Sequence, residues 1–135
     1  MKLTTEIIAL CEYATVSREG KLSINGIFDE LRVTKFPGGL ARAFLVATVH
    51  GKPETSYKLQ IKIEHKEKTT GSVNLDIHTS PNGKNNIVTE LVNVPFEKAG
   101  DYQFVIYNGD EEVGSTLLKV FDVAEQKTVE YKLPN

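Results

Sequence analysis

Apolar and polar side chains alternate along much of the chain, and this period of two predicts β-strands. The clearest stretch is residues 57–66, where every even position is Lys, Glu or Gln and every odd position is apolar or His65. Such alternation is typical of a strand with one face on a core and the other in water. The pattern repeats at residues 73–78, so the two segments predict a hairpin connected by residues 67–72.

Further strands are predicted by the same criteria at residues 7–16, 22–28, 31–33, 41–50, 87–96, 102–107 and 113–123, with a last short one at 128–133. Glycine and proline interrupt the chain at short intervals, and no stretch of twelve residues has a convincing helical period. This pattern predicts an all-β fold, an antiparallel immunoglobulin-like or C2-like β-sandwich of about eight or nine strands. The sandwich is expected to form a single domain over residues 1–135.

A short motif favours the immunoglobulin-like type of β-sandwich. Residues 99–104 read Ala-Gly-Asp-Tyr-Gln-Phe, which places Tyr102 just after a Gly-Asp turn and two residues before a large apolar side chain. Immunoglobulin-like domains carry a corner tyrosine at this place, whose hydroxyl bonds to a nearby backbone group. Tyr102 is therefore predicted to be structural, either as this corner or as an ordinary strand tyrosine.

Two groups of segments resemble a family of small bacterial proteins known only as a domain of unknown function. They are Glu12-Tyr13-Ala14, the run from Gly20 to Asp29, and Phe36-Pro37 in the first half, and Val94-Pro95-Phe96, Gly100-Asp101-Tyr102 and Leu118-Lys119-Val120 in the second. The resemblance implies a β-sandwich and supplies no activity, cofactor or catalytic residue. Residues 51–90 match only in strand character, and Gly38-Gly39 departs from the family pattern.

The sequence lacks the familiar motifs of nucleotide-binding and hydrolytic enzymes. No Gly-Lys pair is preceded by the first glycine of a P-loop, and neither Gly-x-Gly-x-x-Gly nor Gly-x-Ser-x-Gly occurs. Cys11, the only cysteine, lies in an alternating apolar segment, so we expect a small buried side chain rather than a nucleophile. We therefore predict no catalytic residue and no cofactor.

Metal ligands are not predicted to converge. His65 and His78 have opposite phases relative to the apolar residues of their strands, so their rings should lie on opposite faces of the sheet. Asp110, Glu111 and Glu112 form an acidic turn that could contribute to a calcium site, but a hard cation needs oxygen ligands from several loops. We expect no metal, with calcium at this turn as the alternative.

Composition limits the compartment and the partners. A single cysteine in 135 residues excludes an intramolecular disulfide, and the longest apolar runs are too short for a signal peptide or a membrane span. A cytoplasmic protein without a membrane partner is therefore expected. Lysines at 58, 62 and 66 share one strand face, but Gln60 and Glu64 interrupt them, so no nucleic-acid partner is predicted.

Residues 41–49 are apolar on both faces of their predicted strand. A sandwich core needs only one of these faces, so Phe44 and Val46 on the other face require a second cover. Either a loop or the C-terminal segment covers them internally, or they form an exposed patch that docks another protein or a second copy.

The function expected from these patterns is a non-enzymatic binding or interaction module, with an unknown protein partner or self-association. The alternatives are a loop-end site for a small ligand, sugar or calcium, and an enzyme with an unrecognised site. The net charge of residues 1–89 is +3 and that of 90–135 is −5, since they hold twelve basic and nine acidic residues and four and nine, respectively. An acidic surface that contacts a partner is compatible with this division.

Overall fold

The structure is a computed structural model, and it describes residues 2–123. Over this range the chain forms nine strands: β1 (Thr4–Val16), β2 (Leu22–Phe28), β3 (Glu30–Val33), β4 (Gly38–His50), β5 (Ser56–His65), β6 (Lys68–His78), β7 (Lys84–Phe96), β8 (Gly100–Asn108) and β9 (Glu111–Asp122). The strand predicted at 128–133 lies outside the described residues. No helix within residues 2–123 is long and apolar enough to cross a membrane.

The strands form two sheets, so the predicted all-β sandwich is confirmed. One sheet has the order β2-β1-β4-β7 and the other β3-β9-β8-β5-β6. The chain passes from the first sheet to the second at Asp29, whose carbonyl accepts a hydrogen bond of 2.9 Å from the amide of Lys119. β3 then runs parallel to β9, with Leu31 beside Val120, while the other pairs are antiparallel. Alternation of side chains did not predict this parallel pair, because it does not depend on strand direction.

The main core lies between the sheets and is built from the inward-facing side chains of both. Leu10 and Leu45 are paired across β1 and β4, and Phe104 and Leu118 approach from the opposite sheet. All four are buried, and complete burial of such a side chain contributes about 1.5–3 kcal/mol. The alternation read from the sequence therefore places these faces correctly.

The connection between β5 and β6 differs from the prediction. His65 pairs directly with Lys68, so the turn contains only Lys66 and Glu67. Both have left-handed backbone conformations, with φ of 47° and 65°, as a two-residue type I′ turn requires. Gly71, expected in the connection, lies within β6 opposite Ile63. Residues 68–72 are largely exposed on this edge strand, so they lack the alternation that would have predicted a longer strand.

Gly38 and Gly39 begin β4. A Cβ atom on Gly39 would lie 2.5 Å from the carbonyl oxygen of Val94, and one on Gly38 would overlap the side chain of Val33. The glycine pair that departs from the family pattern therefore permits a close approach of neighbouring chain segments at this end of the sandwich.

Candidate functional site

Phe44 and Val46 lie on the outer face of the four-stranded sheet, yet neither contributes to an exposed patch. Val46 is fully buried and Phe44 is only 8% exposed. They belong to a second, smaller apolar cluster together with Cys11 and Ala14. They are covered from within the chain, one of the two possibilities left open by the sequence, but by a strand hairpin rather than by the expected loop. The C-terminal segment, the other expected cover, lies beyond residue 123 and outside the described residues. Association with an unknown protein partner or with a second copy stays a prediction.

The cover is formed by residues 12–26, the outer part of the β1–β2 hairpin, which we call the arm. Pairing of β1 with β4 ends at Cys11, whereas its pairing with β2 continues to the turn. Leu22 and Ile24 of the arm pack on the cluster that contains Phe44 and Val46. The turn of the arm contacts β7, so the arm folds back across the outer face of the sheet.

A short chain of hydrogen bonds holds the tip of the arm. The hydroxyl of Thr48 donates to the side-chain oxygen of Asn86 at 2.9 Å. The side-chain nitrogen of Asn86 donates to the carbonyl of Gly20, in the arm turn, at 3.2 Å. Cys11 is fully buried in the cluster that the arm covers, and this burial raises the pKa of its thiol. The prediction that Cys11 is a small buried side chain is confirmed.

Tyr102 forms the predicted tyrosine corner. Its hydroxyl donates to the carbonyl of Lys98, four residues upstream, at 2.7 Å. The ring packs edge-on against Phe96 with centroids 4.6 Å apart, and the residue is only 2% exposed. Burial raises the pKa of the phenol. Tyr102 therefore ties the loop before β8 to the core.

His65 stacks on Tyr102 at the same end of the sandwich. The ring centroids are 4.3 Å apart and the planes are inclined by 15°. Nδ1 of His65 lies 2.8 Å from the carbonyl oxygen of Asp101, and since a carbonyl only accepts, Nδ1 is the donor. His65 is 7% exposed, and its Nε2 has no hydrogen-bond partner among the described residues.

A pocket of about 360 Å³ opens beside this stacked pair, where β5 ends and β8 begins. We call it the lysine pocket. Besides His65 and Tyr102 it is lined by Lys66, Lys68, Thr70, Pro95, Glu97 and Lys98. Three lysines and one glutamate therefore line a cavity that has an aromatic wall.

Within the described part of the chain, the three lysines of the pocket form no ion pairs, and Glu97 is the one acidic side chain among the residues that line it. Among residues 2–123, no carboxylate forms an ion pair with Lys66, Lys68 or Lys98. Glu67, which lies between the first two in sequence, is not a lining residue. A concave site with uncompensated positive charge attracts anions. The arrangement therefore suits a carboxylate or phosphate group.

The sequence did not predict the lysine pocket. Lys66 was assigned to a solvated strand face, whereas the structure places it in the two-residue turn after β5. Lys98 belongs to the loop between β7 and β8, far along the chain. The sequence feature that could have indicated this pocket was Tyr102, because a tyrosine corner holds the preceding loop close to the sandwich.

The acidic turn lies at the other end of β8. Gly109 and Asp110 form a two-residue turn between paired Asn108 and Glu111. Asp110, Glu111 and Glu112 are exposed, and the carboxylate of Glu111 lies 3.6 Å from the ammonium group of Lys2. Within the described range, no group of three or more His, Cys, Asp or Glu side chains is arranged to hold a metal ion.

His78 is exposed, whereas His65 is buried, and the predicted difference in strand phase is confirmed. Nδ1 of His78 lies 2.9 Å from the hydroxyl oxygen of Ser56. For Ser56 to act as a nucleophile with His78 as its base, a third group would have to orient the histidine. No carboxylate of residues 2–123 contacts His78, so this pair lacks that group.

A wider cleft of about 780 Å³ separates the arm tip from the loop between β6 and β7. Some of its polar side chains are already engaged within the protein. The side-chain nitrogen of Asn85 donates to the carbonyl of His78 at 3.0 Å, and that of Asn86 to Gly20. These groups have less capacity left for a ligand than the unpaired lysines of the smaller pocket.

The comparison with protein families agrees with the resemblance seen in the sequence. The sequence profile of a family of unknown function, DUF6941, matches residues 6–121. The chain belongs to this family. Membership in DUF6941 carries no activity with it, so the function has to be inferred from the site. No curated protein matches this DUF6941 chain.

The solved structures similar to this DUF6941 chain include a β-glucosidase and an immunoglobulin-like protein. A β-glucosidase from Listeria innocua, solved in complex with glucose, aligns with a TM-score of 0.51 and 9% identity over 88% of this chain and 16% of the enzyme chain. An immunoglobulin-like protein from Pseudomonas aeruginosa aligns with a TM-score of 0.48 and 12% identity over 90% of this chain and 98% of the other. The DUF6941 chain thus spans only a small part of the glucosidase, and at 9% identity that likeness shows the fold alone.

Proposed function

We propose that this protein is a non-enzymatic binding module whose binding site is the lysine pocket. The ligand is a carboxylate or phosphate group carried by its partner. The observation that carries the proposal is the set of three lysines without ion-pair partners in residues 2–123, around a pocket walled by His65 and Tyr102. Their positive charge makes an anion the complementary occupant.

The local backbone supports a preformed site. Lys66 sits in a two-residue turn, where it is confined to a left-handed conformation, and Lys98 lies in the loop that Tyr102 anchors. Exposed charge pairs contribute about 0.2–1 kcal/mol each, so three lysines alone give weak binding. Their sum is at most about 3 kcal/mol, so a dissociation constant of several millimolar or weaker, rising further with salt, is expected for a single anionic group.

Two features of the described residues support binding rather than catalysis. The thiol of Cys11 is buried and its pKa is raised, which disfavours the reactive thiolate. His78 lies beside the hydroxyl group of Ser56, but no carboxylate of residues 2–123 contacts it to orient it as a base.

The proposal is tested by titrating the ¹⁵N-labelled protein with inorganic phosphate and with a short poly-glutamate peptide. Shifts are expected for residues 65–70 and 95–102. The triple variant Lys66→Gln, Lys68→Gln, Lys98→Gln should bind at least about tenfold more weakly, which corresponds to about 1.4 kcal/mol.

The matched control removes the same charge from three exposed lysines elsewhere, Lys21→Gln, Lys52→Gln and Lys58→Gln. It should bind within about threefold of the wild type, because long-range charge alone has a small effect at moderate salt. Equal losses in both triple variants, or shifts that map elsewhere, would contradict the proposal.

A further inference from the structure

The two ends of the five-stranded sheet carry opposite charges. The lysine pocket lies where β8 begins, and the acidic turn lies where β8 ends. β8 contains nine residues and is therefore about 30 Å long. The acidic turn cannot reach the lysine pocket of its own chain across this distance.

The acidic turn is as poorly compensated as the pocket. Within residues 2–123, neither Asp110 nor Glu112 has an ion pair, and the single contact of Glu111 is with the exposed Lys2. The turn is narrow, because it has two residues and a Cβ on Gly109 would meet no atom within 4 Å. The tip therefore projects with little around it.

We propose that the acidic turn of one copy of this chain enters the lysine pocket of a second copy. This inference rests on the proposed function of the lysine pocket and names its occupant. The pocket provides three lysines without ion-pair partners in residues 2–123, and the turn provides three carboxylates. Charge complementarity between the two ends selects a second copy as the partner.

The geometry determines the kind of assembly. A contact between two different ends of the same molecule is head-to-tail, so it leaves one free pocket and one free turn and leads to chains or closed rings. A hairpin tip in a pocket of about 360 Å³ makes an interface well below the roughly 1,000 Å² of stable complexes. The association is therefore weak, reversible and strongly salt-dependent.

The test uses two charge-reversed variants in sedimentation velocity. The pocket variant carries Lys66→Glu, Lys68→Glu and Lys98→Glu, and the turn variant carries Asp110→Lys, Glu111→Lys and Glu112→Lys. At about 50 mM salt and protein concentrations up to about 1 mM, the wild type should associate, and about 500 mM salt should abolish association. Each variant alone has two ends of like charge and should stay monomeric.

An equimolar mixture of the two variants should recover the association, because each pocket then meets a turn of opposite charge. A control with Lys21→Glu, Lys52→Glu and Lys58→Glu should associate like the wild type to within about threefold. Thermal unfolding followed by circular dichroism verifies that every variant is folded.

A wild type that stays monomeric throughout would overturn the inference, as would a mixture that does not recover association. Association of either variant alone would also overturn it, because another surface would then be responsible. The underlying proposal is tested separately by phosphate binding. If phosphate still shifts residues 65–70 in a protein that never associates, the pocket binds anions and only the assignment of its occupant is wrong.

Discussion

The imidazole ring of His65 lies parallel to the phenol ring of Tyr102, with centroids 4.3 Å apart. The tyrosine corner is thereby joined to the lysine pocket. Tyr102 holds the loop that carries Lys98, and His65 ends the strand that leads into Lys66. A residue with a structural role in the core thus anchors the loop of one pocket lysine and packs against the strand that leads into another.

Replacing Tyr102 by Phe should lower the free energy of unfolding by about 1–3 kcal/mol, because the carbonyl of Lys98 loses its buried donor. Tyr13→Phe is the matched control, since Tyr13 is 52% exposed and should change stability by less than about 0.5 kcal/mol. Denaturant unfolding curves measure both differences. Equal stabilities of the two variants would show that the hydroxyl of Tyr102 does not contribute.

Loss of the hydrogen bonds that hold the tip of the arm should expose Cys11 more often. Asn86→Ala removes the bonds to Thr48 and Gly20, so the arm should open more readily and a thiol reagent should modify Cys11 faster. An effect of about 1 kcal/mol corresponds to a rate roughly fivefold higher. Asn85→Ala is the control, because its bond to the carbonyl of His78 lies outside the arm. Equal labelling rates in the two variants would contradict a role of Asn86 in holding the arm.

Phe44→Ala should destabilise the protein by about 3 kcal/mol, because the arm covers the ring and truncation leaves a cavity. Ile27→Ala should cost less than about 1 kcal/mol, since Ile27 is 65% exposed in the same four-stranded sheet. Calorimetric or denaturant unfolding distinguishes the two. If Phe44→Ala were no more costly than Ile27→Ala, the arm would not cover this cluster in solution.

Gly39→Ala should cost more than about 2 kcal/mol, because the new methyl group would lie 2.5 Å from the carbonyl oxygen of Val94 and the backbone would have to move. Gly71→Ala provides the comparison. Its nearest contact would be the flexible end of Ile63 at 3.4 Å, so its stability should stay within about 0.5 kcal/mol of the wild type. A difference in melting temperature between the variants measures this, and similar values would count against the close approach at Gly39.

The sequence by itself determined most of the strands, their inward faces and the corner at Tyr102. Each of these depends on neighbours a few residues apart: a period of two assigns side chains to faces, and a Gly-Asp-Tyr turn is read locally. The opposite orientations of His65 and His78 follow from the same local rule. The sequence also indicated the second apolar face at Phe44, but it did not indicate which segment covers that face.

Only the tertiary structure decided what the strands contact. Alternation is unchanged by strand direction and by bending, so it predicted neither the parallel β3–β9 pair nor the arm that folds over Phe44. The lysine pocket depends on the two-residue turn at Lys66 and on the approach of the loop that carries Lys98. Charged side chains on loops have no periodicity that reports their neighbours, so their clustering exists only once the sheets are packed and the corner is closed.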